Sequence, residues 1–241
     1  MHRFFIDKSN FENKTLIFPY STSHQIANVL RLKENDEVIV LDNSGVEYTV
    51  SLTSVNTKLT KAIIISSQTS VNEPEIKLHL YFSLTQREKF EFILQKCTEI
   101  GVSVFHPFVS SRSLSGFKKS DTKKVERWRK ILIEASEQSK RGLIPELREV
   151  VNFNVAVTEK GNFDHKFFAW EQTESLVDIK NLLRDIHPCN NIALFIGPEG
   201  GFSQSEADLA SELDWRLVSL GKRTMRMETA AIVASTLILL S

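Results

Sequence analysis

The sequence predicts an α/β protein in which a small β-rich domain precedes a larger domain built on a mostly parallel sheet. Three observations lead to this prediction. The first 70 residues contain short apolar runs separated by turn residues. Beyond Pro74, apolar runs alternate with long stretches of helical periodicity, which is typical of an α/β layer. Between these parts, residues 66–74 are polar, lack periodicity and end in proline, so they are predicted to form a linker.

Turn and cap residues define the elements of the first domain. The turn at residues 42–45 separates the apolar run 37–41 from the alternating run 46–52. Ser23 is placed to cap a helix that runs to Leu30 with an apolar stripe. The predicted strands are residues 1–7, 37–41, 46–52 and 62–65.

Strands and helices alternate in the second domain. Capping boxes at Thr85 and Ser203 each begin a helix, and Asp121 is placed to cap another. The apolar stretch 229–240 is shorter than the ~20 residues that span a bilayer, and it predicts a helix buried on all sides. The predicted strands, including two suited to cover on both faces, are residues 78–82, 102–108, 167–170, 192–196 and 216–220.

Composition and charge exclude several classes of protein. The 241 residues are 41% hydrophobic and 25% charged, as in a soluble globular protein and unlike a fibre or a disordered tail. Because 30 basic residues balance 30 acidic ones, a polyanion partner requires a local basic patch. Cys97 and Cys189 lie outside any metal-ligand spacing, which predicts two ordinary thiols and no metal. The short apolar run at the start predicts no signal peptide, so we expect a cytoplasmic protein without a membrane anchor.

Two loops concentrate the unusual residues. Residues 196–203 read IGPEGGFS, and their glycines allow a backbone to approach a ligand closely. A loop that follows a parallel strand is the usual position of a ligand site, although a plain tight turn explains the glycines as well. The spacing matches neither the dinucleotide fingerprint nor a Walker loop.

The second loop, LGKRTMRMET at residues 220–229, also lies between a strand and a helix. Three cations and one carboxylate fall within seven residues. Taken alone, these charges are also explained as a solvated rim. If the two loops are neighbours, they form one pocket.

The two loops together resemble those of a known family. GPEGGFS followed by LGKRTMRMETA is similar to the paired cofactor loops of the bacterial 16S ribosomal RNA (uracil-N3)-methyltransferases, which belong to the SPOUT class with a trefoil knot. The chain departs mildly from that pattern, with Met225 and Met227 beside Arg226 and with Cys97 and Ser136 in place of alanine. Further matches in order and spacing are QKCTEIGV at 95–102, Pro107, Arg112-Ser113, Glu126-Arg127-Trp128, EASEQSKR at 134–141 and Pro145. At the front, RFF at 3–5, His24 and VLRLK at 29–33 resemble the family's PUA-like RNA-binding barrel.

The resemblance implies two domains, a cofactor and a reaction. Residues 1–70 would form the PUA-like domain, and residues 74–241 the knotted methyltransferase domain with helices on both faces of its sheet. The implied reaction moves a methyl group from S-adenosylmethionine to N3 of a uridine in 16S ribosomal RNA. The residues implied to hold the cofactor are Ile196, Gly197, Pro198, Glu199, Gly201, Leu220, Gly221, Met225 and Arg226.

The chemistry of uridine N3 assigns the expected catalytic roles. N3 lies on the Watson–Crick edge, so the target base must be unpaired, and N3 must lose its proton. We expect Arg226 to stabilise the resulting charge and not to act as the base, because its guanidinium stays protonated. Glu228 is expected to accept the proton or to orient Arg226. For Glu199, a similar role and simple capping of the next helix both stay open.

A local basic patch is predicted to bind the RNA. From Arg112 to Arg148 there are eleven Lys or Arg residues and five Asp or Glu residues, a net charge of +6. A solvated helix face with interspersed ion pairs is the alternative. The expected RNA contacts are Arg3, His24, Arg31, Arg112, Lys140 and Arg141.

The family resemblance also implies a homodimer packed through the knot, with the apolar helix at 229–240 suited to such an interface. Two other functions stay open. A non-catalytic RNA-binding or ribosome-assembly module would keep the basic patch without needing the glycine loops. A related knotted methyltransferase would modify a ribose hydroxyl of transfer RNA.

Overall fold

The computed structural model describes residues 1–113, 122–171, 177–179 and 190–240. The chain divides into two compact units. The first unit comprises Met1–Glu73 and Ser136–Ile144, and the second comprises Pro74–Ala135 and Pro145–Ser241. The segment Ser136–Ile144, which sequence reasoning assigns to the second domain, therefore packs with the first unit.

The first unit is built on a six-stranded sheet in the order β1-β4-β5-β6-β3-β2. The pair β1 and β4 is parallel, and the other pairs are antiparallel. Its strands are β1 (Arg3–Phe5), β2 (Phe11–Glu12), β3 (Thr15–Ile17), β4 (Glu37–Leu41), β5 (Val46–Ser54) and β6 (Lys61–Thr69). A 3-10 turn at Lys8–Asn10 follows β1, and helix α1 (Tyr20–His24) continues as a π-helix at Gln25–Val29.

Apolar residues of these strands, of the segment after β3 and of the π-helix form the core of the first unit. The members include Phe4, Leu16, Phe18, Ile26, Val38, Val40 and Val50, all buried.

Two predictions for this unit are wrong. The linker assigned to residues 66–74 starts too early, because Ser66 to Thr69 pair through their backbone with Val46 to Thr49. Ser23 caps no helix, because its buried hydroxyl donates to Phe18 O and accepts from Thr60 N.

The second unit is built on a sheet in the order β10-β8-β7-β13-β11-β14-β12, with β9 paired to β8. Every strand pair among the described residues of this sheet is parallel. Its strands are β7 (Lys77–Ser83), β8 (Val104–Val109), β9 (Glu146–Leu147), β10 (Val151–Asn152), β11 (His165–Ala169), β12 (Val177–Asp178), β13 (Asn191–Ile196) and β14 (Arg216–Ser219). Its helices are α2 (Arg87–Ile100), α3 (Thr122–Gln138), α4 (Phe153–Val157), α5 (Gln204–Glu212) and α6 (Met227–Leu239), and the last turn of α3 lies in the first unit.

Successive residues of the central strands are buried on opposite faces of this sheet. Tyr81 stacks on Phe195, and both pack in a cluster with residues of α4 and α5. The next residue, Phe82, stacks on Phe90 of α2 at 4.7 Å between ring centroids. Helices therefore cover both faces, as predicted from the continuous apolar runs.

The strand order places three loops at one edge of the sheet. Strand β11 lies between β13 and β14, and all three run parallel. The segments that follow these strands therefore leave the sheet on the same side. This arrangement brings together the two glycine-containing loops.

The C-terminal helix α6 differs from its prediction. It begins at Met227, and only one stripe of it is fully buried, which comprises Met227, Ala231, Ala234, Ser235 and Ile238. The intervening residues are half-buried, apart from the exposed Thr229, so the expectation of burial on all sides is wrong for this chain alone. The predicted cap Asp121 lies outside the described residues. Within the described ranges, no helix has the length and apolar character to cross a bilayer.

Candidate cofactor site

The loops that follow β11, β13 and β14 surround a cavity of about 280 Å³. The expectation that two neighbouring loops form one pocket is therefore met by the geometry. All nine residues implied to hold a cofactor line this cavity. Its walls consist of residues 169–171, 196–199, 201, 202, 219–221, 223–227 and 230.

The first loop is held by a turn and by a helix cap. Gly201 N donates to Pro198 O at 2.9 Å, and Gly201 has a φ of +66°, which favours glycine. A Cβ at this position would lie 2.8 Å from Glu171 Oε1. Ser203 and Glu206 then form the predicted capping box of α5. Backbone therefore forms this wall of the cavity, and a side chain here would be strained by the positive φ and would displace the Glu171 carboxylate.

The second loop carries Arg226 into the cavity wall. Gly221 has a φ of +112° and donates its N–H to Ser219 Oγ at 3.1 Å. Arg226 is the residue that precedes α6, in extended conformation, and its side chain is exposed. Met227 is buried and anchors the start of the helix. An exposed guanidinium at the rim of a partly apolar cavity is available to a second ligand.

Glu228 does not lie where sequence reasoning places it. It is a first-turn residue of α6 and is not part of the cavity wall. Its Oε2 is buried without a hydrogen-bond partner among the described residues, and no hydrogen bond or ion pair there joins it to Arg226. The expected orienting bond is therefore absent from the described structure. The carboxylate that sequence reasoning missed is Glu171, an exposed residue in the cavity wall after β11.

Glu199 is fixed by side chains at the start of α2. Its carboxylate accepts hydrogen bonds from Thr85 Oγ1 and from Lys89 Nζ, the latter at 3.0 Å. Partial burial raises the pKa of Glu199, but the hydrogen bonds from Thr85, from its own backbone N–H and from Lys89 lower the pKa below its usual value. Glu199 is therefore a bound carboxylate and does not cap α5. The capping box predicted at Thr85 is wrong, because Gln86 precedes the helix and Thr85 bonds to Glu199.

Two of the expected RNA contacts are buried in ion pairs of the first unit. Arg3 Nη2 lies 2.5 Å from Glu47 Oε1, and both side chains are 7% exposed. Arg141 Nη2 lies 2.7 Å from Glu73 Oε2, and the Arg141 side chain is 4% exposed. Both arginines are committed to carboxylates inside the unit, so their assignment to RNA phosphates is wrong.

The other expected RNA contacts of the first unit are exposed. His24, Arg31 and Lys140 present their side chains to solvent. Tyr20, which sequence reasoning missed, is 65% exposed, and its ring centroid lies 6.5 Å from that of His24. An exposed aromatic ring beside a basic residue is suited to stacking on an RNA base.

In the second unit, the exposed cations lie on α3 and beside the first loop. Lys123, Arg129 and Lys130 on α3 are exposed, whereas Arg127 pairs with Glu91 at 2.7 Å. Lys118 and Lys119 lie outside the described residues. Arg112, expected to contact RNA, donates from Nη1 to Gly200 O at 2.9 Å and to Phe202 O at 3.3 Å.

Metal ligation has no support in the part of the chain that the structure describes. No group of three or more His, Cys, Asp or Glu side chains there is arranged to hold a metal ion. Cys97 is buried, and burial raises the pKa of its thiol to about 12, as expected for an inert thiol. Cys189 lies outside the described residues.

Two domain families match the chain in the order of its two sheets. Residues 72–239 match an RNA methyltransferase domain, and residues 22–65 match an RNA methyltransferase PUA domain. The domain that contains the parallel sheet and the loop-lined cavity is thus an RNA methyltransferase domain.

Relatives of nearly full length narrow this class. The chain is 32% identical to the ribosomal RNA small subunit methyltransferase E of Bacillus subtilis, over 97% of this chain and 94% of the relative. It is 34% identical to the protein of the same name from Mesomycoplasma hyopneumoniae, over 98% of both chains. The chain belongs to the ribosomal RNA small subunit methyltransferase E family, which confirms the resemblance found in its sequence.

Solved structures agree with this assignment. The ribosomal RNA small subunit methyltransferase E of Neisseria gonorrhoeae, crystallised with S-adenosylmethionine, matches with a TM-score of 0.87 and 29% identity over 98% of this chain and 95% of that one. A methyltransferase from Legionella pneumophila, solved with the same cofactor, matches with a TM-score of 0.88 and 29% identity over 98% and 96%. The fold class is confirmed, and the trefoil knot stays a prediction.

Proposed function

We propose that this protein transfers a methyl group from S-adenosylmethionine to N3 of a uridine in the 16S ribosomal RNA of the small subunit. The observation that carries this proposal is the single cavity formed by the loops 197–201 and 220–226. Relatives that share about one third of their residues with this chain are named ribosomal RNA small subunit methyltransferases, and two similar structures contain S-adenosylmethionine. The cytoplasm, where ribosomal RNA is found, is the expected location.

The cavity is suited to S-adenosylmethionine. Its volume of about 280 Å³ is near the lower end of the ~300–1,000 Å³ of ligand pockets. Ile196, Leu220 and Met225 supply apolar contacts for an adenine ring and a methionine chain, and the glycine loops supply backbone N–H and C=O groups. The bound cofactor would supply an activated methyl group on a positively charged sulfur. The Glu171 carboxylate complements that charge, and a Glu171→Gln variant with undiminished cofactor affinity would exclude this role.

Arg226 is the residue we assign to the uridine. Deprotonated N3 places negative charge on the two flanking carbonyl oxygens, and a fixed guanidinium beside them lowers the free energy of that anion. N3 then forms its bond to the methyl carbon as the carbon–sulfur bond breaks, and the electron pair of that bond stays on sulfur. Arg226 is exposed in the cavity wall, where a base extruded from the RNA would enter.

The proton of N3 is assigned to solvent and not to Glu228. Glu228 is outside the cavity wall, and Glu199 already binds Thr85 and Lys89. The exposed rim at Arg226 gives water access to N3. With Arg226 lowering the pKa of N3, we expect the rate to rise with pH until N3 is ionised.

For RNA binding, we propose contacts from exposed cations of each unit. In the second unit these are Lys123, Arg129 and Lys130 of α3. In the first unit they are His24, Arg31 and Lys140, with Tyr20 as a surface for base stacking. Arg3 and Arg141 are left out because they are buried in ion pairs.

We also propose a homodimer that packs through the knotted region and α6. Outside the buried stripe of this helix, Ile232, Val233 and Leu237 are only half-buried in the single chain. Apolar residues of this kind are stabilised by cover from a second chain. Light scattering of the purified protein is expected to give twice the mass of the 27.5 kDa chain, and a monomer mass would exclude this arrangement.

Nucleoside mass spectrometry of ribosomal RNA tests the function in cells. Cells that lack the gene are expected to lose N3-methyluridine from small-subunit RNA, and the wild-type gene should restore it. The Arg226→Ala gene should not restore it although the protein accumulates. Loss of a ribose-methylated nucleoside from transfer RNA, or loss of no modification, would favour one of the two alternative functions.

A further inference from the structure

The turn that follows β8 lies directly against the first cofactor loop. One nitrogen of Arg112, Nη1, donates to Gly200 O at 2.9 Å and to Phe202 O at 3.3 Å. The neighbouring Ser111 N donates to Glu206 Oε1 at 3.0 Å. The turn therefore contacts both the loop and the first turn of α5.

Arg112 is held by a turn with its own hydrogen bonds. Ser113 Oγ accepts from Ser110 N at 2.7 Å and is hydrogen-bonded to the hydroxyl of Ser83, the last residue of β7, at 2.5 Å. Ser113 N donates to Ser110 O at 3.2 Å. The turn is thus fixed to the central sheet, and it presents Arg112 from a defined position.

The contact between Arg112 and the loop is close. A Cβ built on Gly200 would lie 3.6 Å from both Cβ and Cδ of Arg112, which is ordinary van der Waals distance. The side chain therefore runs along the backbone of the loop and bonds to carbonyls on either side of Gly201. Gly201 has positive φ and forms the cavity wall.

We propose that Arg112 is a positioning residue, whose guanidinium holds residues 200–202 in the conformation that forms the cofactor cavity. It acts through the loop, and its cation is not used for RNA phosphates. This inference rests on the proposed cofactor site. A glycine-rich loop has large conformational freedom, so a cation that binds two of its carbonyls reduces the cost of ordering the loop around a ligand.

Calorimetry with S-adenosylmethionine in the absence of RNA tests the proposal on the full-length protein. The Arg112→Ala variant loses the charge-assisted hydrogen bonds of Arg112, and we expect its Kd for the cofactor to be ~10-fold higher than that of the wild type. Arg112→Lys keeps one cation and is expected to recover part of that affinity. The matched control is Arg216→Ala, an exposed arginine at the start of β14, at the opposite end of the strand from the cavity, and its Kd should equal that of the wild type.

Two further measurements separate positioning from other roles. Hydrogen exchange of the peptide that contains residues 198–203 should accelerate in Arg112→Ala without any ligand, while the Tm changes little because Arg112 is exposed. RNA affinity and its salt dependence should be unchanged. An unchanged exchange rate together with unchanged cofactor affinity, or a reduced salt slope with unchanged cofactor affinity, would overturn the proposal. If the wild type binds no cofactor, the proposed function fails, and the exchange measurement still decides the role of Arg112.

Discussion

Arg141 and Glu73 form a partly buried ion pair in which Arg141 Nη2 lies 2.7 Å from Glu73 Oε2. The other oxygen of the same carboxylate accepts the N–H groups of Gly142 and Leu143, at 2.9 and 3.2 Å. One carboxylate thus ties the segment 136–144 to the first unit. An arginine that sequence composition places in an RNA footprint is instead part of the internal structure of this unit.

Arg141→Ala is therefore expected to reduce stability and not RNA affinity. The Arg141 guanidinium is 4% exposed, whereas Glu73 is 23% exposed and keeps the N–H groups of Gly142 and Leu143, so we expect the variant to lose ~1–3 kcal/mol. Urea unfolding measures the change in the free energy of unfolding. The matched control is Lys140→Asn, because Lys140 is exposed and has a φ of +63°, which asparagine tolerates.

The two variants should differ in the salt dependence of RNA binding. Lys140→Asn is expected to reduce the salt slope by about 1 with little loss of stability. Arg141→Ala should leave the slope unchanged under conditions in which the protein is folded. If Arg141→Ala is stable and its RNA binding depends less steeply on salt, Arg141 contacts the RNA and our account of this residue is wrong.

Gly201→Ala should impair the cofactor site. The residue has positive φ, which strains an alanine, and its Cβ would lie 2.8 Å from Glu171 Oε1, so the Glu171 carboxylate must move. Gly45→Ala is the control, since it shares a positive φ of +85° and has nothing within 4 Å of an added Cβ. Both variants are expected to lose ~1 kcal/mol of stability, but only Gly201→Ala should weaken S-adenosylmethionine binding in calorimetry. Equal affinity of the two variants for S-adenosylmethionine would show that the loop at residues 197–201 does not contribute to the cofactor site.

Arg226→Ala is expected to lower the rate of methyl transfer ~100- to 1,000-fold, as the loss of a charge-stabilising group does in other enzymes. Single-turnover transfer to small subunits measures this rate. Arg223→Ala is the control, because Arg223 also lines the cavity and is exposed but has no assigned role in the reaction. Its rate should fall less than 10-fold. An Arg226→Ala protein with the wild-type rate would exclude the assigned mechanism.

The buried His106 and the half-buried His79 predict a loss of stability in acid. His79 Nδ1 lies 3.0 Å from His106 Nε2, and His106 Nδ1 lies 3.2 Å from Glu159 Oε2. Burial, together with the charges of Lys77 and Arg148, lowers the pKa of His79 to about 4. Burial, together with the neighbouring His79 and the charges of Arg148 and Lys77, lowers the pKa of His106 to about 3. Tyr81 stacks on His106 and donates its hydroxyl to Glu159 Oε2.

The lowered pKa values of the two histidines determine how the stability of the protein changes with pH. Between pH 6.5 and about 4 the unfolded chain binds protons at these histidines and the folded chain does not, so stability falls as the pH falls. Urea unfolding at pH 7, 6 and 5 measures the trend. A His106→Gln variant keeps a polar side chain without this titration and should show a shallower decline. An equal decline in both proteins would exclude His106 as a source.

Local patterns predict the position of the cavity between the two loops. The glycines of residues 197–201 and the capping box at Ser203 are neighbours in sequence, so their structural role is visible in the order of residues. The parallel strands follow from continuous apolar runs, and parallel strands bring their following loops to one edge. The cavity could therefore be placed from the sequence.

Partners that are distant in sequence account for what could not be predicted. Arg3 and Glu47 are 44 positions apart, Arg141 and Glu73 are 68 apart, and Arg112 and Gly200 are 88 apart. Sequence reasoning assigns all three arginines to RNA because the sequence does not show which carboxylates or carbonyls the fold brings to them. Ser66 to Thr69 look like a linker for the same reason, since their strand partners lie about twenty residues earlier.

Methyl transfer by the purified protein tests the central claim most directly. Small subunits from cells that lack the gene would be incubated with the protein and S-adenosylmethionine, and their RNA digested for nucleoside mass spectrometry. We expect N3-methyluridine as the product, in an amount that approaches one per RNA, and none when the cofactor or Arg226 is removed. No methylated product, or a methyl group on a ribose hydroxyl, would contradict the account.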